Sequence, residues 1–282
     1  MKYKKGDLHW EVIVSVVLAL VAFAIIFYFA YTSELFSSTN SAAKQACRSS
    51  VIARGTIGSR GATAGLVGLE CDTFNVCIYK NKPECPSMKT YSDIQYIKVK
   101  NKDEVVKAIA DVWAEAHWVL GEGQYNWADV YKYQERQCAK IFRIGFDEGI
   151  INEQKEKKNF DLDTNNIAYY MATNKPFYGV YDNYWGYISG SLNSPIVEKD
   201  INARLTLSLK DQYYYYNLDF SKTYIFISQI KSASWIASST LTPSKASWWY
   251  MYPILIQEDD TTKQQALECG YFLISDKIKT PS

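Results

Sequence analysis

Six cysteines are the side chains of this sequence with the clearest chemistry. An even number of cysteines is typical of disulfide-bonded proteins from oxidising compartments. A metal site is the alternative, but no Cys-x-x-Cys spacing occurs, and the two histidines, His9 and His117, cannot supply a histidine-rich cluster. We therefore predict disulfides, with the pairing left open, among Cys47, Cys71, Cys77, Cys85, Cys138 and Cys269. We expect one local cluster to contain Cys71, Cys77, Cys85 and Cys138.

Histidine-based catalysis has little support in the sequence. A hydrolytic triad needs a histidine within reach of a nucleophile. His9 precedes a long apolar segment, and His117 lies beside Trp118 in a stretch whose apolar residues repeat at helical spacing. A histidine on such a helix face is more often packed than catalytic. We predict a packed side chain at His117.

The sequence Asp161-x-Asp163-x-Asn165 begins like a calcium-binding loop. That loop requires glycine at its sixth position and glutamate at its twelfth, where this chain has Asn166 and Ala172. A solvated turn is the favoured interpretation. The chain also lacks the glycine-rich patterns that bind phosphate or dinucleotides. We predict no catalytic residue, no metal and no cofactor; the alternative is a membrane-tethered enzyme with an unrecognised carboxylate site.

The segment Val12–Tyr31 contains neither charge nor proline, and its only polar groups are Ser15 and the hydroxyls of Tyr28 and Tyr31. As a helix it is ~30 Å long, which matches the hydrocarbon core of a bilayer. Lys2, Lys4 and Lys5 precede it, whereas the first basic residue after it is Lys44. Because basic residues stay on the cytoplasmic side, we predict residues 1–11 inside and the chain from ~35 onward outside. The sequence thus predicts a single-pass cell-membrane protein with the lipid bilayer as a partner.

A second pattern overlaps the start of this segment. Lys4-Lys5-Gly6, followed by Asp7 and Glu11, resembles the class III signal of type IV pilins and archaeal pilins. The resemblance implies cleavage after Gly6, which would make Glu11 the fifth residue of the mature chain. It also implies assembly with other copies through the anchor helix. An ordinary uncleaved anchor is the other interpretation, and the mature N-terminus, Met1 or Asp7, distinguishes the two.

The net charge of the 282 residues is +1, which gives no basic surface for nucleic acid. Beyond the anchor we predict a stalk or linker over 32–65, a cysteine-bearing α+β region over 66–155, and an aromatic-rich β region over 156–282. In the stalk, the anchor helix should continue for several turns through Ser41–Val51, where Ala42, Ala43, Ala46 and Ile52 share an apolar face.

The α+β region contains the clearest soluble helix. Tyr91–Val99 alternates like a strand, and apolar residues then repeat at helical spacing from Val105, after a first turn that contains acidic residues. Gly121-Glu122-Gly123 should end this helix. Cys138–Ile151 is a short helix or strand, and the charged run that begins at Glu153 should lead out over the surface.

The C-terminal region alternates short aromatic and β-branched runs with turn residues, which predicts an antiparallel sheet. The predicted strands are Phe177–Tyr187, Ala203–Leu209, Tyr213–Tyr216, Thr223–Ile230, Trp248–Gln257 and Cys269–Ile274. The fold class is therefore α+β, with an N-terminal transmembrane helix and a β-rich, antiparallel C-terminal half. We predict an interaction surface for a protein or glycan at Trp248, Trp249 and Tyr250.

The middle of the chain carries a family resemblance. The blocks Ala110-Asp-Val-Trp-Ala-Glu-Ala-His-Trp-Val-Leu-Gly-Glu-Gly123 and Cys138-Ala-Lys-Ile-Phe-Arg-Ile-Gly-Phe-Asp147 look like those of uncharacterised single-pass membrane proteins of small-genome archaea. The resemblance covers about residues 1–150 and implies an anchor, a cysteine-bearing strand and a helix that ends in a Trp-x-x-Gly-Glu-Gly-like turn. Further cysteines of that family would fall at His117 and Ile141, so the resemblance implies that one disulfide is missing here.

Together these features predict a membrane-anchored, extracytoplasmic, non-catalytic interaction or structural module. The alternative is a pilin-like filament subunit that forms a homo-oligomer through its anchor helix.

Overall fold

The computed structural model describes residues 16–18, 20–21, 39–58, 68–125, 127, 136–156, 161–177, 181–189, 217–231, 249–267 and 269–274. The chain divides into two compact units, Met1–Ala42 and Ala43–Ser282. In the first unit, residues 16–18 and 20–21 are helical, and their apolar side chains are at least half exposed. The remainder of Val12–Tyr31 lies outside the described residues. Within the described part, no helix has the length and apolar character needed to cross a bilayer.

The second unit is built on a mixed sheet with six strands in its described part. The strands are β1 (Phe74–Tyr79), β2 (Ile94–Lys98), β3 (Arg136–Phe146), β4 (Tyr224–Lys231), β5 (Trp249–Gln257) and β6 (Cys269–Ile274). Five of them lie in the order β2-β1-β3-β4-β5, and β6 pairs with β3. Since β4 occupies one edge of β3 from Gln137 to Ile144, β1 and β6 share its other edge.

The predicted α+β class is confirmed, and the strand directions refine it. Strand β4 is antiparallel to both β3 and β5, as predicted for the C-terminal half. Strand β6 is parallel to β3, so the antiparallel prediction is wrong for this strand. A helix lies between β5 and β6, and such a crossover is what a parallel connection requires. Strand β1 is parallel to both β2 and β3.

Helices cover one face of the sheet. They are α1 (Thr39–Gly58), α2 (Lys102–Val119), α3 (Glu148–Glu156), α4 (Thr164–Thr173) and α5 (Tyr184–Ser189). A further helix, α6 (Thr261–Ala266), leads into Leu267 on the other face. Strand β4 shows the two faces, because Tyr224 and Phe226 join the core shared with the helices, whereas Ile225 and Ile227 pack with Leu267 on the opposite side. Alternate residues of a strand point to opposite faces, so both faces of β4 are apolar and buried.

Helix α2 is stabilised by a cap, by acidic residues in its first turn and by an apolar repeat, all of which are present in its sequence. The Asn101 side chain accepts a hydrogen bond from the Glu104 backbone N–H, which caps the first turn. Asp103 and Glu104 place negative charge at the positive end of the helix dipole. The apolar repeat that begins at Val105 is buried against the sheet. The predictions of this helix and of the preceding strand β2 are confirmed.

The helix predicted over Ser41–Val51 is confirmed as part of α1, but its apolar face is not the buried one. Ala42, Ala43 and Ala46 are exposed. The buried side chains are instead Lys44, Cys47, Ser50, Val51 and Arg54. The helix is rotated in this way because Cys47 is held by a disulfide and Lys44 by polar partners, interactions that an apolar pattern does not contain.

The structure corrects one predicted element and gives the secondary structure of two segments whose type was left open. The described residues of Phe177–Tyr187, which exclude 178–180, form no strand: α5 begins at Tyr184, and the side chain of Asn183 accepts a hydrogen bond from the Gly186 backbone N–H. Such a bond satisfies a backbone donor at a helix start. Cys138–Ile151 contains most of β3 and then the start of α3. The charged run from Glu153 continues α3 as far as Glu156.

All six cysteines are paired, which confirms the predicted disulfides. The pairs are Cys47–Cys71, Cys77–Cys85 and Cys138–Cys269. The expected single cluster of four cysteines is wrong, because only Cys77 and Cys85 of that group are bonded to each other. Cys138 instead joins the start of β3 to the start of β6, across 131 residues of sequence.

We expect the long-range disulfide to stabilise the fold more than the local one. In the loop-entropy treatment, a cross-link over 131 residues contributes about 2.5 kcal/mol more than one over 8 residues. Denaturant unfolding of C138S/C269S should therefore show a larger loss of unfolding free energy than that of the matched control C77S/C85S. Equal losses would contradict the loop-entropy explanation.

Candidate functional site

The turn after α2 is the centre of the most elaborate polar network in the described part of the chain. Gly121, Glu122 and Gly123 have positive φ angles of 74°, 58° and 68°. The Glu122 N–H donates to the His117 carbonyl, and the Gly121 N–H to the Trp118 carbonyl, both at 3.0 Å. These two bonds form a Schellman motif, which ends the helix as the glycines predicted.

Two positions in this turn are under different constraints. A Cβ on Gly121 would lie 2.7 Å from the ring of Tyr125, so close packing requires glycine there. Glu122 adopts the left-handed conformation although it has a side chain, at a cost of about 1 kcal/mol. The contacts of its carboxylate offset that cost.

The Glu122 carboxylate joins three helices. Its Oε2 accepts from Arg48 Nη2 of α1 at 3.1 Å, and its Oε1 accepts from the Tyr187 hydroxyl of α5 at 2.9 Å. The Arg48 guanidinium lies over the ring of Trp118, 4.6 Å from the ring centroid, and donates to the Trp118 carbonyl. We call Arg48, His117, Trp118, Glu122 and Tyr187 the Glu122 network.

His117 is the buried member of the Glu122 network. Its ring lies edge-on to Tyr187, with centroids 5.2 Å apart. Burial lowers the pKa of His117 from 6.5 to about 4; the positive charge of Arg48 adds to this shift, and the charge of Glu122 opposes it. The imidazole is therefore neutral at pH 7 and packed, in accord with the role predicted from its helix face.

A second polar group, the Lys44 cluster, connects α1 to α2 and the sheet. Lys44 Nζ donates to Gln95 Oε1 of β2 and to Glu115 Oε1 of α2, each at 2.7 Å. The ammonium group also lies 5.1 Å and 6.0 Å from the ring centroids of Phe142 and Phe74. Lys44, Gln95 and Glu115 thus meet above the helix-covered face of the sheet.

A third polar group lies on the opposite face of the sheet. Arg143 of β3 is fully buried and donates to both carboxylate oxygens of Glu258, with its Nε 2.8 Å from each. Its Nη1 donates to Asn75 Oδ1 at 2.8 Å, and its guanidinium stacks 3.8 Å from the ring centroid of Tyr91. A guanidinium satisfied in this way is a structural element of the sheet.

Two aspartates accept hydrogen bonds from backbone N–H groups. The buried Asp147 carboxylate accepts from the Asn81 N–H at 2.9 Å and the Ile150 N–H at 3.0 Å, which joins the ends of β1 and β3 to the start of α3. Asp163, in the calcium-like sequence, forms a capping box with Asn166 at the start of α4. Within the described ranges, no group of three or more His, Cys, Asp or Glu residues is placed to hold a metal ion.

Of the other predicted site residues, only some lie within the part of the chain that the structure describes. Gly6, Asp7, Glu11 and Trp248 lie outside the described residues. Trp249 and Tyr250 belong to β5, where they pair with Lys231 and Ile230 of β4. Their role as an interaction surface stays a prediction, as do the cleavage and assembly roles of Gly6, Asp7 and Glu11.

The charged residues of these three networks were not singled out from the sequence. One available signal was a basic residue within an otherwise packed pattern, as for Arg143 in the apolar strand Cys138–Phe146 and for Lys44 on α1. The partners Glu115, Glu122 and Glu258 carry no such signal, because glutamate is common on exposed surfaces.

The neutral state of His117 predicts a pH dependence of stability. Between pH 6.5 and 4 the unfolded chain binds a proton at this residue and the folded chain does not, so the stability falls as the pH falls. From pH 7 to pH 5 the loss due to His117 should be about 2 kcal/mol. Denaturant unfolding at a series of pH values measures it. The H117F variant keeps a ring against Tyr187 and should remove this component; an identical pH dependence in both proteins would contradict the assignment.

Comparisons of the chain with family models, curated proteins and solved structures found no match.

Proposed function

We propose that this chain is a membrane-anchored protein whose disulfide-bonded body works outside the cytoplasm as a non-catalytic binding or structural module. The observation that carries the proposal is the pairing of every cysteine in the chain. Disulfides persist in oxidising compartments and are rare in the reducing cytosol. A body joined by three of them is suited to the outer face of a membrane.

The N-terminal segment supports the membrane part of the proposal. Val12–Tyr31 contains no charge over twenty residues. Val16, Leu18 and Leu20 are helical and 54–64% exposed to solvent, which is unfavourable for such side chains in water but not in lipid. The lysines at positions 2, 4 and 5 support an inside location for the N-terminus.

The polar networks support a non-catalytic body. Two of the buried or half-buried ion pairs, Arg143–Glu258 and Arg48–Glu122, each join different elements of the fold. In each pair the charges hold elements together. Catalytic groups in contrast are aimed at a cleft, where substrate meets them.

The proposed working surface is the aromatic C-terminal region, with Trp248, Trp249 and Tyr250 as its candidate contacts. Tyrosine and tryptophan supply a large contact area at low entropic cost, which suits a protein or glycan partner. The 23 tyrosines and 8 tryptophans of the chain are in keeping with such a role.

The topology can be tested with tags at both ends of the full chain. Protease added to intact cells should remove the C-terminal tag and leave the N-terminal tag, because the membrane shields only the inner segment. Lysed cells, in which both tags should be lost, provide the control. Survival of the C-terminal tag in intact cells, together with its loss on lysis, would contradict the proposed orientation.

Alanine substitution at Trp248, Trp249 and Tyr250 tests the working surface. If these rings form a binding surface, the triple variant should lose binding to cells or glycans that capture the natural chain, while its melting temperature stays within a few degrees. A loss of several kcal/mol of unfolding free energy would instead mean that the rings fill a core.

A further inference from the structure

The Lys44 cluster combines an amine, a carboxamide and a carboxylate in one protected place. Lys44 is 5% exposed, and its Nζ lies 2.7 Å from both Gln95 Oε1 and Glu115 Oε1. The rings of Phe74 and Phe142 flank the amine. Amide exchange needs an amine, an amide and a proton acceptor in one place, and here the amine lies within hydrogen-bond distance of the other two.

We propose that Lys44 and Gln95 form an intramolecular isopeptide bond, with Glu115 as the catalytic residue that moves the protons. The bond would join α1 to the edge strand β2 across 51 residues of sequence. It would be a covalent modification separate from the three disulfides, and its formation requires no oxidant, metal or second protein.

The reaction exchanges the amide nitrogen of Gln95 for the amine nitrogen of Lys44 and releases one ammonium ion. Glu115 accepts a proton from the Lys44 ammonium group, which leaves a neutral amine. The amine nitrogen attacks Cδ of Gln95 and forms the new N–C bond, while the electrons of the carbonyl move to Oε1. Glu115 then delivers its proton to Nε2 of Gln95, the Cδ–Nε2 bond breaks, and the carbonyl re-forms. The departing nitrogen takes up the remaining proton of the former lysine amine and leaves as ammonium.

The surroundings favour each step. Glu115 Oε1 lies 2.7 Å from Lys44 Nζ, so the proton has to move only along an existing hydrogen bond. The three reacting side chains come from α1, α2 and β2, and the Cys47–Cys71 disulfide fixes α1 one turn from Lys44. Rigid placement of this kind replaces the entropy cost of a bimolecular encounter. Gln95 and Glu115 are partly exposed, which gives the released ammonium a route to solvent.

The chain contains a natural comparison cluster. Lys222 Nζ lies 2.8 Å from Asp259, and Gln257 donates its amide N–H to the same carboxylate at 2.6 Å. The same kinds of groups meet there, but the Lys222 and Asp259 side chains are 43% and 57% exposed. The carboxylate lies between the amine and the amide. Water competes at such a site, so we expect no bond between Lys222 and Gln257.

Peptide mapping of the full chain, purified from membranes and then reduced and denatured, tests the proposal. We expect a branched peptide that contains Lys44 and Gln95 and is lighter than the sum of its two parts by the mass of one ammonia. The Lys222 and Gln257 peptides from the same digest should be separate and unmodified. Recovery of the Lys44 and Gln95 peptides as separate, unmodified species from the natural chain would overturn the proposal.

Substitutions at Lys44 and Glu115 test the role of each residue in forming the bond. K44R keeps the positive charge and should give no branched peptide. E115Q keeps the shape of the side chain but cannot accept the proton, so the bond should form about 100-fold more slowly. The presence of the Cys47–Cys71 disulfide in E115Q, measured in the same digest before reduction, establishes that α1 is docked. A branched peptide that forms at the natural rate in E115Q would overturn the role of Glu115.

Discussion

A fully buried guanidinium in β3 constrains the arrangement of the strands around it. A charge removed from water costs several kcal/mol unless partners and hydrogen bonds replace the solvent. For Arg143 these partners are Asn75 of β1 and Glu258, which directly follows β5. Asn75 lies directly opposite Arg143 in the β1–β3 register. A shift of β1 by one residue would turn Asn75 to the other face of the sheet, so the charge selects the register as well as the neighbours.

The same kind of interaction fixes α1 on the other side of the sheet. Lys44 and Arg48 lie one turn apart and bind Glu115 and Glu122 near the end of α2, while Cys47 between them is held by its disulfide. These contacts make the described residues of α1 from Ala43 onward part of the body. A pull on α1 would be resisted by the Arg48–Glu122 ion pair, by a disulfide and, at Lys44, either by the Glu115 ion pair or by the proposed isopeptide bond that replaces it.

Much of the fold could be predicted from local patterns, and the misses have a common physical origin. Helix α2, its glycine stop and the strands β2, β4, β5 and β6 follow from periodicity and capping, which are local properties of the sequence. The face of α1, the direction of β6 and the disulfide pairing depend on partners distant in sequence, such as Glu115 for Lys44 and Cys269 for Cys138. The Glu122 network was missed for the same reason: Arg48, Glu122 and Tyr187 come from three separate helices.

Under the proposed location outside the membrane, the disulfide between β3 and β6 also sets an order of events during export. If the part of the chain beyond the anchor emerges in sequence order, Cys47 meets Cys71 after 24 residues, and Cys77 meets Cys85 after only 8. Cys138 must wait for a further 131 residues, until nearly the whole body has emerged. During that interval its thiol is a free nucleophile in a chain with two completed disulfides, and exchange with them would scramble the framework. Early burial of Cys138 in the sheet with β4 would protect it, so correct oxidation of the last pair depends on folding that precedes it.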